Sequence, residues 1–158
     1  PAALPPLTTA QREAAKQFLG VAAALASALA SDNLGDFNSA APKVHPAVAA
    51  LATAFSKDSP WRPLISSAES VAHVDSAVDL RAARKGFHPL SVAAVAFAKR
   101  LRAQEAEFGS IKVYRCPMTA ESFPGAPAAA EWIQTAGPLR NPWFGAEMIE
   151  CGAEVKPQ

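Results

Sequence analysis

Repeated apolar stripes of helical period between residues 8 and 107 constrain this chain more than any other feature. Thr8 and Gln11 form the S/T-x-x-E/Q pattern of a capping box. Phe18, Ala22, Leu25 and Leu29 follow at i, i+4, i+7 and i+11, which predicts a helix over about 9–31. Asp32 is the expected cap of a second helix, with Val44, Val48, Leu51 and Phe55 on its face. Pro42 and Pro46 predict a kink or restart inside it. Ser59-Pro60 reads as an N-cap followed by proline at the first helical position, opening a third stripe of Trp61, Leu64, Ile65, Ala68 and Val71. Asp75 is expected to cap a short segment carrying Leu80, Ala83 and Phe87. Gly86 and Pro89 then interrupt it, and Ser91 restarts a helix with Leu90, Ala94, Phe97 and Leu101 on one face. Four helical segments joined by short turns argue for a mainly α fold, an up-and-down four-helix bundle over 8–107, with 1–7 as a tail or linker.

The pattern changes after Glu107. "GSIKVYRC" alternates and holds β-branched residues, predicting a strand that ends at Cys116. "EWIQ" at 131–134 is its expected partner, since "ESFPGAPAAA" between them is rich in turn formers. Residues 108–158 are therefore expected to be a small irregular β/loop cap, packed on the bundle as part of one domain.

The chain's 158 residues suit one domain with a real core. A net charge of +1, with both signs mixed along the chain, gives no electrostatic footprint for nucleic acid or an anionic membrane. The basic clusters Arg81, Arg84, Lys85 and Lys99, Arg100, Arg102 read as solvated helix faces. "FLGVAAALASALA" is too short to span a bilayer as a helix, so the chain is not expected to cross a membrane. Because the sequence starts at Pro1 without methionine, it is expected to be a processed or excised piece, with any export signal already gone.

All the sulfur lies in two short segments. "VYRCPM" holds Cys116 and Met118 either side of Pro117, and "GAEMIECG" holds Met148 and Cys151 three apart. Thiolates and thioethers are soft donors suited to Cu(I) or Ag(I). Proline fixes the backbone between the first pair, and one helical turn would put the second pair on one face. Together the four residues can make an S3 or S4 metal site. Zinc suits them less, because its structural sites use Cys and His. The alternative is structural: a Cys116–Cys151 disulfide closing a loop of about 36 residues, a stabilisation of roughly 3–4 kcal/mol, with both methionines as core filler. Buried free thiols are a third reading, and the first two are compatible as redox states of one site.

His45, His73 and His88 are scattered in sequence and read as hydrogen-bonded or surface residues. Trp132, Trp143 and Phe144 flank the sulfur segments, as a small local core or a shield around a soft ion. Phosphate loops, nucleophile elbows, H-E-x-x-H and C-x-x-C are all missing from the sequence, so no enzyme activity is expected.

"YRCPM", "AEWIQ", "LRNPWFG" and "EMIECG", in that order, resemble a bacterial periplasmic domain of unknown function. That family shows Cys-Pro-Met, Trp-Leu-Gln or similar, Asn-Pro-Tyr-Phe-Gly and Met-x-x-Cys-Gly, after an upstream Arg-x-x-Phe-x-x-Leu-Ser. The upstream pattern is met here by Arg84, Phe87, Leu90 and Ser91, so the resemblance runs from the first helix to Gly152. It implies a helical-bundle domain, fused to or encoded beside adaptors (membrane fusion proteins) of CusB-type heavy-metal efflux systems, in periplasmic copper or silver handling. Its expected partners are the adaptor or transporter components of such a system. The motif residues carried over are Cys116, Met118, Asn141, Pro142, Phe144, Gly145, Met148, Cys151 and Gly152. Trp143 departs from the family's tyrosine and so lacks the hydroxyl and any hydrogen bond it would make.

Overall fold

The computed structural model describes residues 3–158. The fold is mainly α. Helices α1 (Thr9–Ala30), α2 (Leu34–Ala40), α3 (Val44–Ala54), α4 (Arg62–Glu69) and α5 (Leu80–Gln104) precede a small antiparallel sheet of β1 (Lys112–Cys116), β2 (Ala130–Gln134) and β3 (Ala153–Glu154). The sheet order is β2-β1-β3.

The first helix starts where its capping box puts it. Thr8 Oγ1 accepts the Gln11 amide at 3.2 Å, and Gln11 Oε1 accepts the Thr8 amide at 2.9 Å. Its buried face alternates bulk with alanine: Phe18, Leu19, Leu25 and Leu29 beside Ala15, Ala22 and Ala26. The small residues let helices approach while the large ones fill the space between them. Helix α1 packs on α3 and α5, and α4 bridges those two. Phe18 and Trp61 both make T-shaped contacts with Phe97, each with ring centroids 5.8 Å apart. Each such fully buried side chain is worth roughly 1.5–3 kcal/mol. Residues 4–7 run along the end of α5, where Gln104 pairs with both backbone groups of Leu4 and Glu105 accepts the Leu7 amide at 2.8 Å.

Four local expectations are corrected. Asn33, not Asp32, caps α2, its Oδ1 accepting the Asp36 amide at 2.9 Å. Asp32 has φ 53° and turns elsewhere. The cap of α5 is Asp79 rather than Asp75, through the Ala82 amide at 2.8 Å. Ser59 does accept the Trp61 amide, but α4 starts only at Arg62 and its proline is Pro63. Finally, α5 runs unbroken through Gly86 and Pro89. Pro89 is exposed, so water can take the carbonyl its missing N–H leaves free. Phe87, Leu90, Ser91 and Ala94, all buried, hold the helix to the core on both sides of it. The restart expected near Pro42 is a 3-10 turn at Ala41–Lys43.

Among the described residues no helix is long and apolar enough to cross a membrane.

Candidate functional site: the paired thiols and the loops that hold them

Strand β1 is the spine of the site. It pairs with β2 in a register that sets Cys116 opposite Ala130, and with β3 through Tyr114 opposite Glu154 and Arg115 opposite Ala153. Continuing the second register by one residue brings Gly152 alongside Cys116, with Cys151 next in the chain. Gly152 permits this approach: at φ 142°, a Cβ there would lie 3.0 Å from the Arg115 carbonyl oxygen and 3.1 Å from Trp132 Cη2. The Cys-Gly step thus delivers Cys151 to the end of β1.

The two sulfurs meet. Cys116 Sγ and Cys151 Sγ stand 3.8 Å apart, Cys116 buried and Cys151 half-buried. The Cys151 thiol is pushed above its ordinary value, first by burial and then by its hydrogen bond and charge interaction with Cys116. It is therefore a thiol at neutral pH, and a metal or an oxidant must displace its proton.

Asn141, fully buried, organises the segment carrying Cys151. Its amide Nδ2 donates to the Cys151 carbonyl at 2.7 Å, while Oδ1 accepts the Trp143 and Phe144 amides at 2.7 and 3.3 Å. Its backbone N–H donates to the Ile149 carbonyl at 2.7 Å, and its carbonyl accepts the Gly145 amide. One side chain closes the loop on itself and ties both ends. Pro142 follows, buried, with its carbonyl taken by Arg84 Nε at 2.8 Å.

Arg84 links this loop to the helices. Besides Pro142, its guanidinium donates to the Leu29 carbonyl at 3.2 Å and to Asp32 Oδ1 at 2.9 Å. Asp32 Oδ2 in turn accepts the Ala146 amide at 2.9 Å. Gly145 makes room for that carboxylate: it has φ 60°, and a Cβ there would fall 2.0 Å from Asp32 Oδ1. The expectation of a solvated Arg84 is overturned, since it is buried and its charge is met by Asp32 and two helix- and loop-end carbonyls.

Further along the same face of α5, Phe87 lies 5.5 Å from Trp143, ring to ring, and Ser91 Oγ donates to the Glu131 carbonyl on β2 at 2.7 Å. Trp143 is fully buried among Phe87, His88 and Phe123. Its Nε1–H has no hydrogen-bond partner among the described residues. Trp132 is also fully buried, facing Tyr114 across the strands and donating to Gln134 Oε1 at 3.0 Å. Phe144 is half-buried against the core.

The structure brings Cys116 and Cys151 together and places the methionines differently from one another. Met118 sits just past Pro117 and is 56% exposed. Met148 ends the 3-10 turn Gly145–Met148, half-buried, and its carbonyl accepts the Cys151 amide at 3.0 Å. Behind Met118, buried Thr119 fastens the loop back onto 127–128 through its side chain and its amide. Among the described residues no three His, Cys, Asp or Glu side chains are grouped as metal donors. A metal here would rest on the two thiolates, with thioether sulfur as the remaining protein donor. That donor set fits a soft ion.

Compared with family models, with curated proteins and with solved structures, the chain has no match.

Sequence reasoning missed Thr119 and gave Asp32 and Arg84 the wrong roles. Asp32 carried one usable signal, an Asp-Asn pair at a helix end, where left-handed backbone is common. The long-range partners of Asp32 and Arg84 could not be read from local spacing.

Proposed function

We propose that this chain is a periplasmic soft-metal module of a heavy-metal efflux system, binding or sensing Cu(I) or Ag(I) at Cys116 and Cys151. The observation that supports it is the 3.8 Å separation of the two sulfurs. At that separation one soft ion can bridge both thiolates. Met148, half-buried on the turn before Cys151, is the candidate for a third donor, and exposed Met118 is suited to entry or release. The chain holds the ion as cargo, to be passed to adaptor or transporter components, and carries out no reaction on it. The helical part is read as an up-and-down bundle supporting the site, and the resemblance of the four C-terminal motifs supplies the periplasmic efflux setting.

The rival reading is a structural or interaction domain of an efflux adaptor, with the same pair as a disulfide. It draws support from the contacts by which Asn141, Arg84 and Gly152 fix the cap. An anaerobic Cu(I) titration of the reduced chain, under competition from a chelator, separates the two. Binding at one equivalent that drops at least a hundredfold in Cys151→Ser is expected. Equal binding by Cys151→Ser, together with two thiols that air oxidises to a disulfide, would favour the structural domain. Metal binding should also tighten as pH rises, because the raised Cys151 proton must leave.

A further inference from the structure

Two of the three histidines, far apart in sequence, are neighbours in the fold. His45 is the second residue of α3, and His73 lies in the connector between α4 and α5. Their rings stack with centroids 4.8 Å apart and planes inclined by 18°. Both side chains are exposed.

The backbones beneath them are fixed. Val44 and Ala47, on either side of His45, are buried in the core. Ala72 is buried just before His73 and Val74 packs against the core just after it. Three residues further, Asn38 of α2 pairs with both backbone groups of Ala77, accepting its amide at 2.8 Å and donating to its carbonyl at 3.0 Å. The connector is thereby held against the α2–α3 corner with His73 turned outward over His45.

We propose that His45 and His73 form a second metal site, for a borderline divalent transition ion of the Cu(II), Ni(II) or Zn(II) class. Neutral imidazole is the side chain these ions share as a ligand, with bonds of about 2.0–2.1 Å. The 4.8 Å between centroids makes the two rings neighbours, and the stack must open for a nitrogen of each to face one ion. Because they are exposed, side-chain rotation turns a nitrogen of each toward it without moving backbone. In sequence, Lys43 and Asp75 each stand two residues from one imidazole. With no third grouped donor among the described residues, water completes the coordination and the ion exchanges readily. Bound there, it would tie the start of α3 to the α4–α5 connector. The site shares no residue with Cys116 or Cys151 and stands whether or not those sulfurs hold a metal.

The test is a titration of the whole chain with Ni(II) followed by NMR of the imidazole protons. Ni(II) is paramagnetic and leaves the thiols unoxidised. The His45 and His73 signals should broaden together at low Ni(II), ahead of those of His88, which serves as an internal control. His45→Ala should abolish the early broadening at His73, His73→Ala that at His45, and each should weaken this binding at least tenfold. Both substitutions are on the surface, so loss of folding does not confound them. Equal broadening of all three histidines, or early broadening at His73 that survives His45→Ala, would overturn the site.

Discussion

From Thr9 to Gln104 position is set chiefly by apolar contact, whereas from Lys112 to Glu154 buried rings and aliphatic side chains are joined by polar side chains reaching back to the backbone. The helices bury stripes of Leu, Phe and Ala, and their polar contacts lie mostly at helix ends and edges. The cap instead hangs on Arg84, Ser91, Thr119, Asn141 and Gln134, each spanning a turn or joining two elements. Apolar packing tolerates exchange of similar volumes, so many sequences can build the first region. A buried hydrogen bond has two ends, and removing one leaves the other desolvated. The cap is thus more narrowly specified, which is what holding two sulfurs at a fixed separation requires.

The most forceful way to break this contrast is one core deletion on each side. Trp143→Ala should cost about 3–5 kcal/mol and Leu51→Ala about 2–5 kcal/mol, measured by urea unfolding. Only the cap deletion should also speed alkylation of Cys151 under native conditions, since Phe87, His88 and Phe123 lose the ring that fixes the loop. If Leu51→Ala exposes Cys151 equally, the two regions open as one unit and the contrast fails.

A narrower change tests the Asp32–Arg84 link. Gly145→Ala puts a methyl where the Asp32 carboxylate sits and forces an alanine to φ 60°. Asp32 must move off Arg84, leaving a buried guanidinium short of its partner. A loss of about 2–4 kcal/mol is expected from the two effects together. Stability within 0.5 kcal/mol, as for an ordinary surface change, would mean that the carboxylate relocates freely.

Much of the helical region was legible in advance. The Thr8 box, the stripes and the Pro42 restart follow from i, i+3 and i+4 spacing, which local backbone geometry enforces. The failure at Pro89 is instructive: a local penalty was overridden by buried residues on both sides of it, a tertiary effect that no short window contains. In the cap, strands β1 and β2 were visible from alternation and turn formers. The two-residue β3 was not, being too short to carry a period. The convergence of Cys116 and Cys151 was expected only as a pairing of motifs. Its geometric cause, the β1–β3 register with Gly152 against Arg115, lies between residues distant in sequence. The His45–His73 stack was invisible for the same reason.

Smaller effects sharpen the contrast. Ser91→Ala leaves the Glu131 carbonyl without its 2.7 Å partner and should cost about 1 kcal/mol. Thr8→Ala should cost about as much in the helical region, through the lost cap of α1. Amide exchange distinguishes them. The first should raise exchange in β2 and near Cys151, and the second only in the first turns of α1. Matching exchange maps would contradict separately anchored regions.

The smallest effect comes from pH. His88, half-buried against Trp143 and Phe123, has its pKa lowered by burial. Its folded environment favours the neutral ring, so the unfolded chain binds the proton more readily. Stability should therefore decline as pH falls through about 6.5, the ordinary histidine value, and level off below the lowered folded value. Cys151 acts at the opposite end. Its raised pKa makes folding favour the thiol, so stability declines as pH rises above the ordinary thiol value. Melting temperatures of the parent and His88→Phe at pH 7.5 and 5.5 isolate the first contribution, because every other titrating group is common to both. The parent should lose more on acidification than the variant does. Equal losses would mean that protonated His88 reaches water by turning out of the aromatic cluster, and that the cap yields there more easily than its packing around Trp143 implies.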